Sequence, residues 1–170
     1  MCSHHRGFTL IELAVVVGVI IILLAVATPS LGGMLQERTV YNTAYQLLER
    51  IRTIQQLAVT HREGYPAYQM SFDSSTHSYS TTVTGKTIVY RMPPGVSFSV
   101  SVLTEPVSVL TEPFSFDWRG SPCQGGTSTT SPTALSSPLV VTVSNSSGTK
   151  QVSVSVSLVL GRVSIGWVSR

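Results

Sequence analysis

The 170-residue sequence predicts an α+β fold in which a long N-terminal helix packs on an antiparallel, β-sandwich-like domain. Three observations carry that prediction. No charged residue occurs between Glu12 and Glu37. Apolar residues then recur at helical spacing as far as Ala58, and beyond Gly64 they alternate with Ser and Thr at period two.

The first element is the run Leu13–Thr28 (LAVVVGVIIILLAVAT), preceded by Phe8–Glu12 (FTLIE) and a short head, Met1–Gly7, that holds Arg6 and no acid. From Phe8 to Leu31 a helix covers about 36 Å at ~1.5 Å per residue, enough for a hydrocarbon core of roughly 30 Å. Arg6 on the short side predicts a cytoplasmic head and an exported remainder. Three readings fit these residues: a plain signal anchor, a removable signal peptide cut after Ala25-Val26-Ala27, and a segment in which Glu12 has work of its own. A carboxylate costs about 3 kcal/mol if it must enter the membrane, so an anchor alone has no reason to carry it.

The next stretch continues as an amphipathic helix. Pro29, Gly32 and Gly33 form an expected weak point, because proline removes a backbone donor and glycine adds flexibility. Val40, Ala44, Leu47, Leu48, Ile51, Ile54 and Ala58 make one stripe. Asn42, Gln46, Glu49, Arg50, Thr53 and Gln56 make the opposite face, and Gly64 with Pro66 supplies the stop.

The remainder reads as seven or eight short strands. Their alternating residues are Tyr68/Met70/Phe72, Tyr79/Thr81/Val83, Ile88/Tyr90, Val96/Phe98/Val100/Val102, Phe114/Phe116/Trp118, Leu139/Val141/Val143, Val152/Val154/Val156/Leu158 and Val163/Ile165/Trp167. Such alternation describes strands with one buried face. Two stretches are irregular. SVLTEP occurs at Ser101–Pro106 and again at Ser108–Pro113, read as a local duplication in a loop or strand edge. Gly120–Pro138 is rich in Gly, Ser, Thr and Pro and is expected to be a mobile surface loop, with Cys123 an exposed thiol inside it.

At Gly7-Phe8-Thr9-Leu10-Ile11-Glu12 and the apolar helix behind it, the sequence resembles the class III signal of type IV pilins and type II secretion pseudopilins. The resemblance implies that an inner-membrane prepilin peptidase cuts after Gly7 and methylates Phe8, and that Pro29 bends the helix. Cleavage leaves a positive amine on Phe8. Glu12 can then pair with that amine in a neighbouring subunit, a buried pair that acts as a register device in a filament. The resemblance divides the chain into a leader (1–7), a transmembrane and filament-core helix (8–31), its amphipathic continuation (32–64) and an exported β-rich domain (65–170). Phe72-Asp73, the FSFDWRGSP segment and Gly161-Arg162-Val163 further resemble H-type minor pseudopilins and FimT-type minor pilins. The partners implied are other pilins or pseudopilins, the peptidase and the inner membrane.

Composition excludes several classes. Only 11% of residues are charged and the net charge is +3, so neither charge-driven disorder nor strong nucleic-acid binding follows. The sequence has no nucleophile elbow, no C-x-x-C, no H-E-x-x-H and no phosphate-binding glycine loop, which predicts no enzyme, no cofactor and no metal. Asp73, Asp117, Glu105 and Glu112 lack the spacing of a calcium loop, and His61 and His77 are expected at surface or cap positions. The alternative function is capture of DNA for uptake, as the FimT-type resemblance implies. It would rest on Lys150, Arg162 and Arg170, but the second basic residue expected soon after Gly161-Arg162 is missing. Phosphate contacts need clustered Lys or Arg.

Overall fold

The computed structural model describes residues 9–102, 113–125, 133–158 and 161–167, with the side chains of 26–31 and 102 left out of the description. One helix, α1 (Leu10–His61), precedes ten strands: β1 (Tyr68–Asp73), β2 (Ser78–Val83), β3 (Lys86–Arg91), β4 (Val96–Val102), β5 (Phe114–Phe116), β6 (Pro122–Gln124), β7 (Thr133–Ala134), β8 (Leu139–Asn145), β9 (Gln151–Val156) and β10 (Val163–Trp167). The chain divides into two compact units, Met1–Gln36 and Glu37–Arg170.

In the first unit the apolar residues of α1 are exposed on every side, from 87% at Leu10 down to 46% at Val16 and Val17. A helix apolar all round finds its place only against lipid or other protein. Among the described residues no helix is long and apolar enough to cross a membrane. The described side chains of this run end at Ala25, whereas the apolar sequence continues to Leu31. The helical assignment runs without a break through Pro29, Gly32 and Gly33.

In the second unit α1 becomes one-sided. All seven stripe residues, Val40 to Ala58, are buried, while the six polar positions opposite are exposed. Each buried aliphatic side chain contributes on the order of 1.5–3 kcal/mol. They share one core with Met70, Phe114 and Phe116 from one sheet and Phe98, Val141, Val143, Val152 and Val154 from the other. The helix ends at His61, and Arg62 follows in the left-handed conformation.

Both sheets are antiparallel where pairing is described. The larger has the order β3-β2-β1-β5-β6-β7 and the smaller β10-β9-β8-β4. The smaller sheet shows the alternation most clearly: Leu139, Val141, Val143, Val152, Val154 and Val156 are buried, and half-buried Val140, Thr142, Ser153 and Ser155 lie between them. Several of those hydroxyls pair across strands, as Ser97 with Ser144 at 3.1 Å and Ser155 with Ser164 at 2.8 Å. Chain turns are tight. Thr84 and Gly85 both take positive φ (47° and 81°), the two-residue connection whose twist suits a hairpin, here between β2 and β3.

Three expectations are corrected. Cys123 is not an exposed loop thiol: it is buried in β6, paired in register with Ser115 of β5 and Ala134 of β7. Composition suggested a loop there, but Asp117 closes a tight hairpin. Its Oδ1 accepts from the Arg119 and Ser121 amides at 2.9 and 2.7 Å, and the returning strand satisfies its own backbone on β5. The stretch expected as one mobile loop thus holds two strands, with 126–132 outside the described residues. Second, β3 does not bury one face. Ile88 and Val89 are both exposed because β3 is the outermost strand of its sheet. Third, Trp118 lies outside β5, exposed in the turn that Asp117 closes, with the Arg119 guanidinium 4.6 Å from its ring centroid.

Candidate functional site

The described chain begins at Thr9, which caps α1. The Glu12 amide donates to the Thr9 carbonyl at 3.1 Å and to Thr9 Oγ1 at 3.4 Å, and the Leu13 amide donates to the Thr9 carbonyl at 3.2 Å. Thr9-Leu10-Ile11-Glu12 therefore carries the sequence of a capping box with its threonine half in place. Glu12 falls in the first helical turn and is exposed. There its negative charge opposes the roughly half-unit positive end of the helix dipole. The sequence places Phe8 immediately before the cap, so an amine created at Phe8 would add to that positive end. One carboxylate would then face two sources of positive charge. The T-x-x-E spacing that marks this cap is visible in the sequence.

Gly7 and Phe8 lie outside the described residues, and Pro29 lies within the helix with its side chain undescribed. Arg170 also lies outside the described residues.

The remaining basic candidates do not converge. Lys150 precedes β9 and donates from Nζ to Glu37 Oε2 at 2.8 Å. Arg162 is exposed beyond the other end of β9. Six strand residues between them span about 20 Å at ~3.3 Å per residue. Neighbouring contacts at Arg162 hold the fold instead. Gln55 Nε2 donates to the carbonyls of Gly120 and Gly161 at 3.0 and 3.1 Å, tying α1 to the β5–β6 and β9–β10 turns. Gly161 has φ 57°, and a Cβ there would collide with the Gly120 carbonyl and the Gln55 amide.

Acids and histidines are occupied locally. Asp73 accepts from the hydroxyls of Ser75 and Thr76 at 2.6 and 2.7 Å, and these hydrogen bonds hold its carboxyl down at about 2. Among the described residues no group of three or more potential metal ligands comes together. Glu105 and Glu112 lie outside the described residues. His61 stacks on the Tyr68 ring at 5.7 Å between centroids, and His77 occupies a positive-φ turn position. Burial, with a smaller contribution from Asp117, pushes the Cys123 thiol up to about 11, which removes thiolate character at neutral pH.

The sequence reading missed one charged feature: Lys86 and Arg91, the two ends of the exposed strand β3. The signal was present as an apolar run, Thr87–Tyr90, without strict alternation and bracketed by bases.

The family model described as the prokaryotic N-terminal methylation motif matches residues 2–28. Residues 2–28 thus carry a prokaryotic N-terminal methylation motif, which supports the resemblance of this segment to type IV pilin-like precursors. No curated protein matches, and no solved structure matches.

Proposed function

We propose that this chain is a minor pilin or pseudopilin, a structural subunit of a type II secretion pseudopilus or a type IV pilus that aids protein secretion. In this reading prepilin peptidase removes residues 1–7 and methylates Phe8. Residues 8–31 hold the subunit in the inner membrane and then line the filament core, with Pro29 as the bend. Residues 65–170 face the periplasm or the outside, and Glu12 sets the register of each new subunit.

The observation that carries the proposal is the methylation motif over residues 2–28, joined to an all-round exposed apolar helix with an acid in its first turn. An exposed aliphatic helix needs a non-aqueous neighbour, and a carboxylate at its start needs a cation. Filament assembly after cleavage supplies both. DNA capture gains no support from the geometry, because Lys150 is paired and Arg162 stands far from it.

Intact-mass analysis of the chain co-expressed with a prepilin peptidase tests the processing. The expected product begins at Phe8 and carries one added methyl group. A product beginning at Thr28 would show ordinary signal-peptide removal and end the proposal.

A further inference from the structure

The outer edge of β3 is an edge bracketed by two basic residues, Lys86 and Arg91. It ends the six-stranded sheet, so alternate backbone amides and carbonyls of Lys86–Arg91 point away from β2, and among the described residues no strand pairs with them. Ile88 is 44% and Val89 61% exposed, and neither Lys86 nor Arg91 makes an ion pair among the described residues. An exposed edge of this kind recruits another strand unless charge prevents it.

Charge prevents one pairing in particular. Two copies of KTIVYR, antiparallel over all six residues, set Lys86 opposite Arg91 at both ends. A parallel pair sets Lys86 on Lys86 and Arg91 on Arg91. Like charges directly opposite are destabilising, so the edge rejects itself and suits a strand with an acid at one end.

This chain contains a sequence segment of that character. The duplication is a perfect heptad, VSVLTEP, at 100–106 and 107–113. In the first copy, Val100-Ser101-Val102 already forms the end of β4 on β8. In the second, six residues, Val107–Glu112, stand between Pro106 and Pro113, the same length as β3. Proline cannot donate to a ladder and is confined to strand ends and edges, so the two prolines delimit a six-residue segment. Laid antiparallel on β3, Glu112 meets Lys86, Thr111 meets Thr87, Leu110 meets Ile88 and Val109 meets Val89. Charge, size and polarity match at each of these four positions.

The same chain cannot make this pairing. Glu112 is two residues from Phe114, which spans at most about 7 Å. Phe114 sits on β1, and the place beyond β3 is four strands from β5, about 19 Å at ~4.8 Å per strand. The segment must come from elsewhere.

We propose that β3 is a docking edge for residues 107–112 of a second copy of this chain. The contact joins two different surfaces, so it propagates head to tail and does not close a dimer. It stands independently of the N-terminal motif.

Cross-linking of the full-length chain in detergent, with Cys2→Ser to remove the leader thiol, tests it. One tagged copy carries Val89→Cys and a differently tagged copy Val109→Cys, joined by a short bismaleimide. The expected result is a mixed dimer. Lys86→Glu in the first copy or Glu112→Lys in the second should each lower its yield by about tenfold, and the two together should restore it. Protection of Cys123 from alkylation shows that each variant is folded. Absence of the mixed dimer, cross-links only between two Val89→Cys copies, or indifference to the charge exchange would each overturn the proposal.

Discussion

One helix meets two environments. From Leu10 to Leu24 its aliphatic side chains are exposed on all sides, whereas from Val40 to Ala58 a single stripe is buried against two sheets. Both stretches are rich in Leu, Ile and Val and both are helical. They differ in what surrounds the apolar surface, and that follows from how the polar residues are distributed. Where Asn42, Gln46, Glu49 and Arg50 occupy the far face, the helix has an inside and an outside. Where no such residues occur, the chain has no solution that keeps the helix in water. The comparison teaches that hydrophobic content alone does not fix where a helix lies, and that the periodicity of its polar residues does.

Substitutions in the two stretches should therefore behave oppositely. Leu47→Ala removes a fully buried side chain from the shared core and should cost about 2–5 kcal/mol in the unfolding of the β-rich unit, followed by denaturant titration in detergent. Ile20→Ala, the same kind of truncation at an exposed site, should leave that transition within about 0.5 kcal/mol. Equal effects would mean that the first stretch packs on the domain and would break the distinction.

Gly161→Ala should rank next, at roughly 1–3 kcal/mol. It adds a side chain at positive φ where Gly120 and Gln55 already fill the space. Its loss should also release α1 from two turns, seen as faster amide exchange near Gly120. Unchanged exchange would mean that Gln55 does not carry the link between helix and turns.

The smallest effect concerns Cys123, and it runs with pH. Its pKa is raised from 9.0 to about 11 in the fold, so the folded state keeps its proton where the unfolded chain loses it. The resulting stability is complete below pH 9 and declines as pH rises through 11. Cys123→Ser should flatten that decline. Alkylation at neutral pH should be slow in the folded chain and fast in denaturant. Rapid labelling of the folded protein would return the thiol to the surface.

Much of this architecture was legible beforehand because it rests on local periodicity. The seven residues of the helical stripe and the alternating valines of β8 and β9 are buried where period 3.6 and period 2 place them. The misreadings share a cause. GSPCQGG has loop composition, yet β6 forms because β5 lies beside it and Asp117 folds the chain back. KTIVYR has strand composition, yet its Ile88 and Val89 stay exposed because no strand follows β3 in the sheet. At the candidate site the motif around Glu12 was readable from spacing alone, while the engagement of Lys150 by Glu37 joins residues 113 positions apart and left no local trace.

By itself, then, the sequence determined that the chain starts with a charge-poor apolar helix, that the helix later turns amphipathic, and that strands follow, since each depends on neighbours within a few residues. Only the tertiary structure decided which strands lie inside and which at an edge, that a cysteine in a glycine-rich stretch is sealed, and that two turns hang on one glutamine. Those outcomes depend on what arrives from far along the chain to cover a surface, and burial is a property of the covering as much as of the residue covered.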